Sequence, residues 1–272
     1  MKKTIAFAAL LLSSTPAFAQ MEEPAGPITV SGSVALVSDY RFRGVSQSDK
    51  EMAVQGGLTV SHESGVYVGT WASNLAGWGT FGGSNMELDL FAGYAVPIGG
   101  ATLDVGLTWY MYPGGLDTTD FAEPYVKLSG DVGPASLLLG VAYAPKQKAL
   151  GNTDPLVHAA GRPGDKEDNF YIWGDVSTAL PNTPLTLKGH LGYSDGNPGL
   201  GPNGTSIAPT GKYLDWMLGA DMAVGPVTLG IAYVDTDIGK SDAARLGGGF
   251  ASSKNGSSIA SGRMIFSVSA GF

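Results

Sequence analysis

The connections between strand-like segments constrain this chain more than any other feature. About twelve segments place apolar residues or glycine at alternate positions, which is typical of β-strands with one apolar face. They cover residues 28–40, 54–61, 66–74, 86–96, 101–110, 121–129, 135–143, 169–178, 185–193, 213–224, 227–234 and 263–272. The connections between them alternate in length from the first to the last. The long ones are 43–51, 75–85, 113–120, 145–168, 195–212 and 235–258, and the short ones are 63–65, 97–100, 130–134, 181–184 and 225–226.

Short turns at one end and long loops at the other are typical of outer-membrane barrels, which have short periplasmic turns and long external loops. A soluble sandwich has no reason to keep this order through so many connections. The sequence therefore predicts an all-β fold, a transmembrane antiparallel up-and-down β-barrel of about twelve strands. An even strand number places both ends of the barrel on the periplasmic side.

The N-terminus has the pattern of a secretory signal peptide. Lys2 and Lys3 precede an apolar run at 5–12, and Pro16 precedes the small-x-small sequence 17–19. The apolar run is too short to span a bilayer, and we expect cleavage after Ala19. The predicted organisation is a signal peptide at 1–19, a short tail at 20–27 and a barrel at 28–272. The predicted location is the outer membrane of a Gram-negative bacterium, reached through the secretory pathway.

Charge and cysteine content exclude several classes of function. The chain has 24 acidic and 16 basic residues, and loss of Lys2 and Lys3 with the signal leaves a mature net charge of about −10. An acidic chain without a basic run is a poor match to nucleic acid. Cysteine is absent, which excludes disulfides and a thiol nucleophile. The expected partners are outer-membrane lipid, the barrel-assembly machinery, and small polar solutes or ions, with no nucleic acid.

The C-terminal segment ends in an aromatic residue. Met264, Phe266, Val268 and Ala270 alternate with polar or small residues before Phe272, and only Ile265 breaks the pattern. This segment resembles the terminal strand that outer-membrane barrels present to their assembly machinery, so Phe272 is a candidate assembly signal. Taken alone, the same pattern also fits the last strand of a soluble sandwich.

Aromatic residues recur where an odd-numbered predicted strand leads into a long loop. Such residues form belts at the headgroup level of outer-membrane barrels. The candidate girdle consists of Tyr40, Trp71, Trp109, Tyr143, Tyr193 and Tyr233.

Several motifs carry a resemblance to a known family. They are SDYRFRGVSQ at 38–47, AVQGG at 53–57, GVYVGTWASN at 65–74, ELDLFAGY at 87–94 and YMYPG at 110–114. Together they resemble the TorF-type porins, closely over the first half of the mature chain and in pattern only from about 145 onward. The resemblance implies an outer-membrane barrel with a channel role. It implies no known substrate and carries over no catalytic or ligand residue.

The polar face of the strands predicts the residues of the lumen. The pore-lining candidates are Asp39, Arg41, Arg43, Glu87, Asp89, Asp104, Glu123, Lys127, Lys188, His190, Asp215, Asp221 and Arg263. Acids outnumber bases among them, which favours a weak preference for cations. About twelve strands lie between filled barrels of eight and open porins of sixteen, so we expect a narrow channel.

Arg41 and Arg43 lie two residues apart near the predicted outer rim. We expect them to face Glu87 or Asp89 and to form a constriction of opposed charges that selects small polar solutes. The alternative is that these residues form ion pairs that fill and brace a closed lumen.

No pattern in the sequence predicts an enzyme. No GxSxG, HExxH, P-loop or calcium-loop motif is present. His190 would face the lumen rather than lipid, which argues against a lipase, and no cofactor or metal is expected. The predicted function is a porin-like channel for passive diffusion of small polar solutes or ions. The alternative is a closed barrel with a structural or surface-interaction role through its long loops, notably 145–168 and 235–258.

Overall fold

Hydrogen bonding between neighbouring strands closes the sheet on itself. The computed structural model describes residues 26–152, 165–196 and 198–272. In this structure twelve antiparallel strands each pair with the next one along the chain, and the first pairs with the last, which closes the barrel. The predicted twelve-stranded up-and-down barrel is confirmed. The signal peptide at 1–19 and the tail up to residue 25 lie outside the described residues.

The barrel strands match the predicted segments closely. They are β1 Ile28–Val37, β4 Ala53–His62, β5 Val66–Asn74, β6 Met86–Ile98, β7 Ala101–Met111, β8 Phe121–Val132, β9 Ala135–Asn152, β10 Asp165–Ala179, β11 Leu185–Gly196, β12 Lys212–Val224, β13 Val227–Thr236 and β14 Arg263–Gly271. Two short strands, β2 Arg41–Phe42 and β3 Val45–Ser46, pair only with each other. The loops carry a 3-10 helix at Gly77–Gly83, the helix α1 at Lys240–Arg245 and a 3-10 helix at Gly247–Phe250. Among the described residues, no helix has both the length and the hydropathy needed to cross a membrane.

Two of the differences from the predicted strand boundaries bear on the loop end. β1 ends at Val37 rather than at residue 40, because the chain leaves the wall there and turns inward. The predicted loop 145–168 is partly strand, since β9 and β10 continue to pair beyond the barrel wall with register shifts between Asp165 and Asn169. Backbone pairing in a hairpin continues without apolar alternation, which is why the pattern missed it. Residues 153–164 of that loop lie outside the described part.

The barrel presents apolar side chains outward and polar ones inward. Large apolar residues on the outer face are exposed, including Leu139, Leu191 and Leu218, whereas inward carboxylates such as Glu87 and Asp215 are buried. Strand side chains alternate between the two faces, so one register sets both surfaces. This distribution reverses that of a soluble protein and suits a wall that faces lipid.

The long loops pack together over one end of the barrel, here called the loop end, and the short turns mark the turn end. One buried cluster consists of Val37, Tyr40, Ala53, Leu75, Phe81, Tyr110, Tyr112, Phe121, Ala144, Ala149, Leu150 and Ile207. A second consists of Val45, Ala208, Tyr213, Leu246, Phe250, Ile259 and Ala260. Trp78 joins them, with its ring 5.6 Å from Phe81 and 4.8 Å from Phe250. The loops therefore cover the loop end through apolar clusters that they share with the strand ends.

Candidate functional site

The connection between β1 and β4, residues 38–52, folds into the barrel, and we call it the plug loop. Almost every residue from 39 to 49 is buried. The Asp39 carboxylate organises the base of the loop, because it accepts hydrogen bonds from the Ser46 hydroxyl at 2.5 Å and the Ser48 hydroxyl at 3.3 Å. The Ser48 oxygen also accepts a hydrogen bond from the Tyr40 backbone N–H at 2.9 Å. These bonds satisfy polar groups that would otherwise be buried without partners.

A tight turn forms the tip of the plug loop. Arg43 and Gly44 join β2 to β3 with φ of 46° and 79°, and positive φ at both central residues is typical of a two-residue hairpin turn. Gly44 also approaches the barrel wall closely. A Cβ atom on Gly44 would lie 2.3 Å from Cγ2 of Thr236 in β13, so only glycine fits this position without a shift.

Arg43 attaches the tip to the opposite side of the barrel. Its Nη2 donates to both carboxylate oxygens of Glu123 at 2.8 and 2.7 Å, and its Nη1 donates to Oδ1 of Asn169 at 3.0 Å. Its guanidinium also lies 3.9 Å from the ring centroid of Tyr171. These partners belong to β8 and β10, which flank β9, the strand opposite β1 in the closed order. The plug loop therefore crosses the lumen.

The Arg43 guanidinium keeps its positive charge although it is buried. Burial by itself lowers the pKa of a guanidinium, but the adjacent Glu123 carboxylate outweighs that effect and raises the pKa of Arg43 above its ordinary value. The side chain therefore stays protonated, and the bond to Glu123 is a charge-assisted one.

Arg41 braces the hairpin from within. Its Nε lies 2.9 Å from Oδ2 of Asp39, and its Nη1 donates to the carbonyl oxygens of Gly44 at 2.9 Å and Ser261 at 2.8 Å. The Ser261 contact ties the plug loop to the segment that leads into β14. Arg41 thus holds the base of the loop while Arg43 holds its tip.

The expected pairing of these arginines with Glu87 or Asp89 is wrong. Arg41 pairs with Asp39 and Arg43 with Glu123. The partner of Glu87 is instead a tyrosine, because the Tyr40 hydroxyl donates to its Oε1 at 2.8 Å. Extrapolating the alternation of β1 failed because the strand ends at Val37, so the following residues no longer follow its two faces.

A cavity of about 700 Å³ extends from the plug loop to the short turns at 99–100 and 130–131. Two ion pairs lie on its walls, one between Lys127 and Asp104 at 3.0 Å and one between Lys188 and Asp221 at 2.7 Å. Apolar side chains such as Trp173 line it as well. The lumen below the plug loop is therefore a chamber whose walls are mostly apolar and carry paired charges.

His190 joins three strands in this chamber. Its Nδ1 lies 2.6 Å from Oδ1 of Asp175, and its Nε2 lies 3.1 Å from Oδ1 of Asp215 and 3.0 Å from the Tyr171 hydroxyl. Because Tyr171 also stacks against Arg43, the network connects the chamber wall to the plug loop. Asp175 was not among the predicted lumen residues, although its position two residues after Trp173 on one strand face could have identified it.

Most of the predicted pore-lining residues lie inside the barrel. Those within it are Asp39, Arg41, Arg43, Glu87, Asp89, Asp104, Glu123, Lys127, Lys188, His190, Asp215 and Asp221. Arg263 instead lies exposed where β14 begins, with its Nη2 3.2 Å from the Lys50 carbonyl oxygen. Within the described ranges, no group of three or more His, Asp and Glu side chains is arranged to hold a metal ion.

The candidate aromatic girdle divides into two groups. Four members lie on the outer face near the loop end, namely Trp109, Tyr143, Tyr193 and Tyr233. The other two, Tyr40 and Trp71, lie inside with their ring centroids 5.3 Å apart, which corrects the prediction for them. Tyr40 belongs to the inward plug loop, and Trp71 shares a strand face with the buried Tyr67.

Solved structures of outer-membrane proteins are similar to this chain at low sequence identity. An outer membrane channel from Pseudomonas putida F1 is 10% identical over 93% of this chain and 100% of its own, with a TM-score of 0.44. The translocator domain of the autotransporter NalP from Neisseria meningitidis is 12% identical over 90% and 88%, with a TM-score of 0.41. A porin is 11% identical over 90% and 100%, also with a TM-score of 0.41. At such TM-scores these likenesses carry no argument about the function of this chain.

No curated protein sequence matches this chain. The narrower resemblance to TorF-type porins is not confirmed by the comparisons. A family model described as a bacterial protein of unknown function matches residues 21–272, more than nine-tenths of the chain. The chain therefore belongs to the Gcw_chp family of bacterial proteins.

Proposed function

We propose that this protein is a porin-like channel of the Gram-negative outer membrane for passive diffusion of small polar solutes or ions. The observation that carries the proposal is a charged chamber of about 700 Å³ within a closed barrel whose outer face is apolar. Charges inside a membrane barrel are tolerated when they are wet or paired, and a wet lumen is a path for solutes. The resemblance of residues 38–47 to TorF-type porins supports the same role.

The location and the partners belong to this proposal. An apolar outer face with four aromatic residues near the loop end suits outer-membrane lipid. Such a barrel would be exported through the secretory pathway and inserted by the barrel-assembly machinery, with Phe272 as the assembly signal. The loop end would then face outward and the turn end would face the periplasm.

The plug loop would form the constriction of the channel. Arg43 attaches its tip to Glu123 across the lumen, so a solute must pass beside the loop or displace it. Eight acids inside the barrel, Asp39, Glu87, Asp89, Asp104, Glu123, Asp175, Asp215 and Asp221, stand against the bases Arg41, Arg43, Lys127, Lys188 and His190. This excess of acids favours a weak preference for cations.

Single-channel conductance of the refolded mature protein in a planar bilayer tests the proposal. The wild type would be compared with a variant in which residues 41–46 are replaced by a flexible glycine–serine linker. We expect discrete steps with a cation-shifted reversal potential under a salt gradient, and larger steps in the variant. Heat-modifiable migration in gels would establish that both proteins are folded before they are compared.

A second candidate is a closed barrel with a structural or surface-interaction role. It is favoured by the two buried clusters that loop residues and strand ends share at the loop end. Silence from both folded, inserted proteins would reject the channel and favour this role. Steps from the linker variant alone would indicate a lumen that the plug loop keeps closed.

A further inference from the structure

Two carboxylates inside the barrel have no basic partner. Glu87 and Asp89 lie two residues apart on β6, so their side chains share the inward face. They are 2% and 0% exposed. Among the described residues, the ion pairs of the lumen involve other carboxylates and leave these two out.

Asp89 lacks hydrogen bonds as well as an ion pair. Neither of its carboxylate oxygens has a hydrogen-bond partner among the described residues. Glu87 accepts one bond, from the neutral Tyr40 hydroxyl at 2.8 Å. Both carboxylate oxygens of Asp89 thus remain without a donor in the described part of the chain. Buried carboxylates normally have such donors, so a missing partner is indicated here.

The nearby arginines cannot supply the missing charge. The Nη2 of Arg43 donates both of its hydrogen bonds to Glu123, and Arg41 forms an ion pair with Asp39. The register places Tyr110 of β7 and Trp71 of β5 beside Asp89, and neither side chain is cationic. The surroundings of Glu87 and Asp89 therefore contain no basic side chain that balances the two carboxylates.

We propose that Glu87 and Asp89 bind a hard metal cation, with Ca²⁺ as the ion whose chemistry fits best. Carboxylate oxygens are the ligands that hard cations prefer, and Ca²⁺ accepts irregular shells completed by water. Side chains two apart on one strand face start about 7 Å apart along the strand, and two ligand oxygens on one Ca²⁺ lie at most about 5 Å apart, so the two carboxylates would lean toward each other to share the ion. Two carboxylates balance a divalent charge, so the site does not need the third acid that the described residues lack.

The bound ion would also stabilise the plug loop. Tyr40 belongs to that loop and donates to Glu87, so fixing the Glu87 carboxylate fixes the partner of Tyr40. This site does not depend on the channel role, because a closed barrel would bind the ion equally.

Calcium binding to the refolded mature protein, stripped with a chelator, tests the proposal at neutral pH. Isothermal titration calorimetry and the midpoint of thermal unfolding would be measured with CaCl₂, and with MgCl₂ and NaCl as comparison salts. We expect one ion per barrel and a higher midpoint with CaCl₂. At a free concentration of about 100 Kd, the ratio of folded to unfolded protein rises about 100-fold.

Two variants and a control make the test specific. Asp89→Asn and Glu87→Gln should each abolish both responses, because each removes a charged ligand. Asp131→Asn removes an exposed carboxylate at a short turn, hydrogen-bonded to Ser136, and should leave both responses unchanged. If one variant fails to fold, the other variant and the wild-type titration still decide the matter.

Three results would overturn the proposal. One is the absence of heat and of a midpoint change in the wild type at millimolar CaCl₂. Another is a calcium response that persists in Asp89→Asn. The third is a pH-dependent midpoint without a calcium response, lost in Asp89→Asn, which would mean that the two carboxylates share a proton instead of an ion.

Discussion

At the scale of single residues, the ion pair between Arg43 and Glu123 is the main attachment of the plug loop to the far wall. Both side chains are buried, and the guanidinium contacts both carboxylate oxygens. A buried pair adds little over apolar packing, but removing one partner leaves an uncompensated charge. The attachment is therefore sensitive to the loss of either partner.

Arg43→Ala should destabilise the folded protein and free the plug loop. Breaking one partner out of a buried pair costs about 3–5 kcal/mol. Urea unfolding of the protein in detergent would measure the change in the free energy of unfolding. Arg43→Lys keeps the charge but loses the paired bonds, so we expect a smaller loss. Equal stability of wild type and Arg43→Ala would contradict the assigned pair.

Gly44→Ala should prevent the tip from seating against β13. The new Cβ would lie 2.3 Å from Cγ2 of Thr236, in addition to the strain of φ at 79°. Trypsin, which cleaves after arginine, should then cut the plug loop faster than in the wild type, because the displaced loop is accessible. Gly256→Ala is a matched control, since Gly256 has a φ of 68° but nothing within 4 Å of the added atom. Equal cleavage in the two variants would reject the close approach as the cause.

At the scale of elements, β14 closes the barrel and carries the C-terminal aromatic residue. β14 pairs with β1, and Gly32 and Phe272 exchange backbone hydrogen bonds at 2.8 and 2.9 Å. The Phe272 ring lies over Gly32, where a Cβ would be 2.5 Å from Cζ of the ring. An aromatic ring over a cross-strand glycine covers backbone that would otherwise be bare. The last residue thus contributes to the seam as well as being the candidate assembly signal.

Phe272→Ala should lower insertion more when the assembly machinery is present than when it is absent. The substitution removes both the proposed assembly signal and the ring over Gly32. Phe266→Ala removes an equally exposed ring on the same side of the strand, at 56% exposure against 57% for Phe272. Folded yield would be measured by heat-modifiable migration, in vesicles with and without the machinery. If Phe266→Ala and Phe272→Ala behave alike in both settings, Phe272 is not an assembly signal.

At the scale of the whole molecule, the apolar outer face determines whether the barrel is stable in lipid or in water. Leu218 lies near the middle of β12 and is 69% exposed. Large apolar residues on the other barrel strands are exposed as well. Such a surface is stable against hydrocarbon and would aggregate in water. The loop end differs, because its apolar residues are buried among the loops.

Leu218→Arg should therefore destabilise the protein in lipid far more than Leu116→Arg. An arginine at the bilayer midplane on the lipid face of a barrel costs about 2–4 kcal/mol. Leu116 is 61% exposed but lies in the loop between β7 and β8, so we expect a change near zero there. Unfolding titrations in lipid vesicles would compare the two variants. Equal costs would contradict a membrane around the barrel wall.

The alternating pattern identified almost every barrel strand and most residues inside the wall. Glu123 and Asp221, for example, follow from parity within their strands, because a side chain in a pleated strand can face only one of two sides. The same rule failed at Tyr40, which lies beyond the end of β1. Trp71 was misplaced because it was assigned by its closeness to a loop instead of by its face.

The sequence by itself determined that this chain forms a closed, lipid-facing barrel with loops at one end, because period-two alternation and connection length are local properties of the chain. Only the tertiary structure decided that the first loop crosses the lumen. Its bonds join residues 80 positions apart in Arg43 and Glu123 and 220 apart in Arg41 and Ser261. Such contacts depend on how the barrel closes, since closure brings β8, β10 and β13 around the plug loop. They leave Glu87 and Asp89 buried without a counter-charge, which no local pattern encodes.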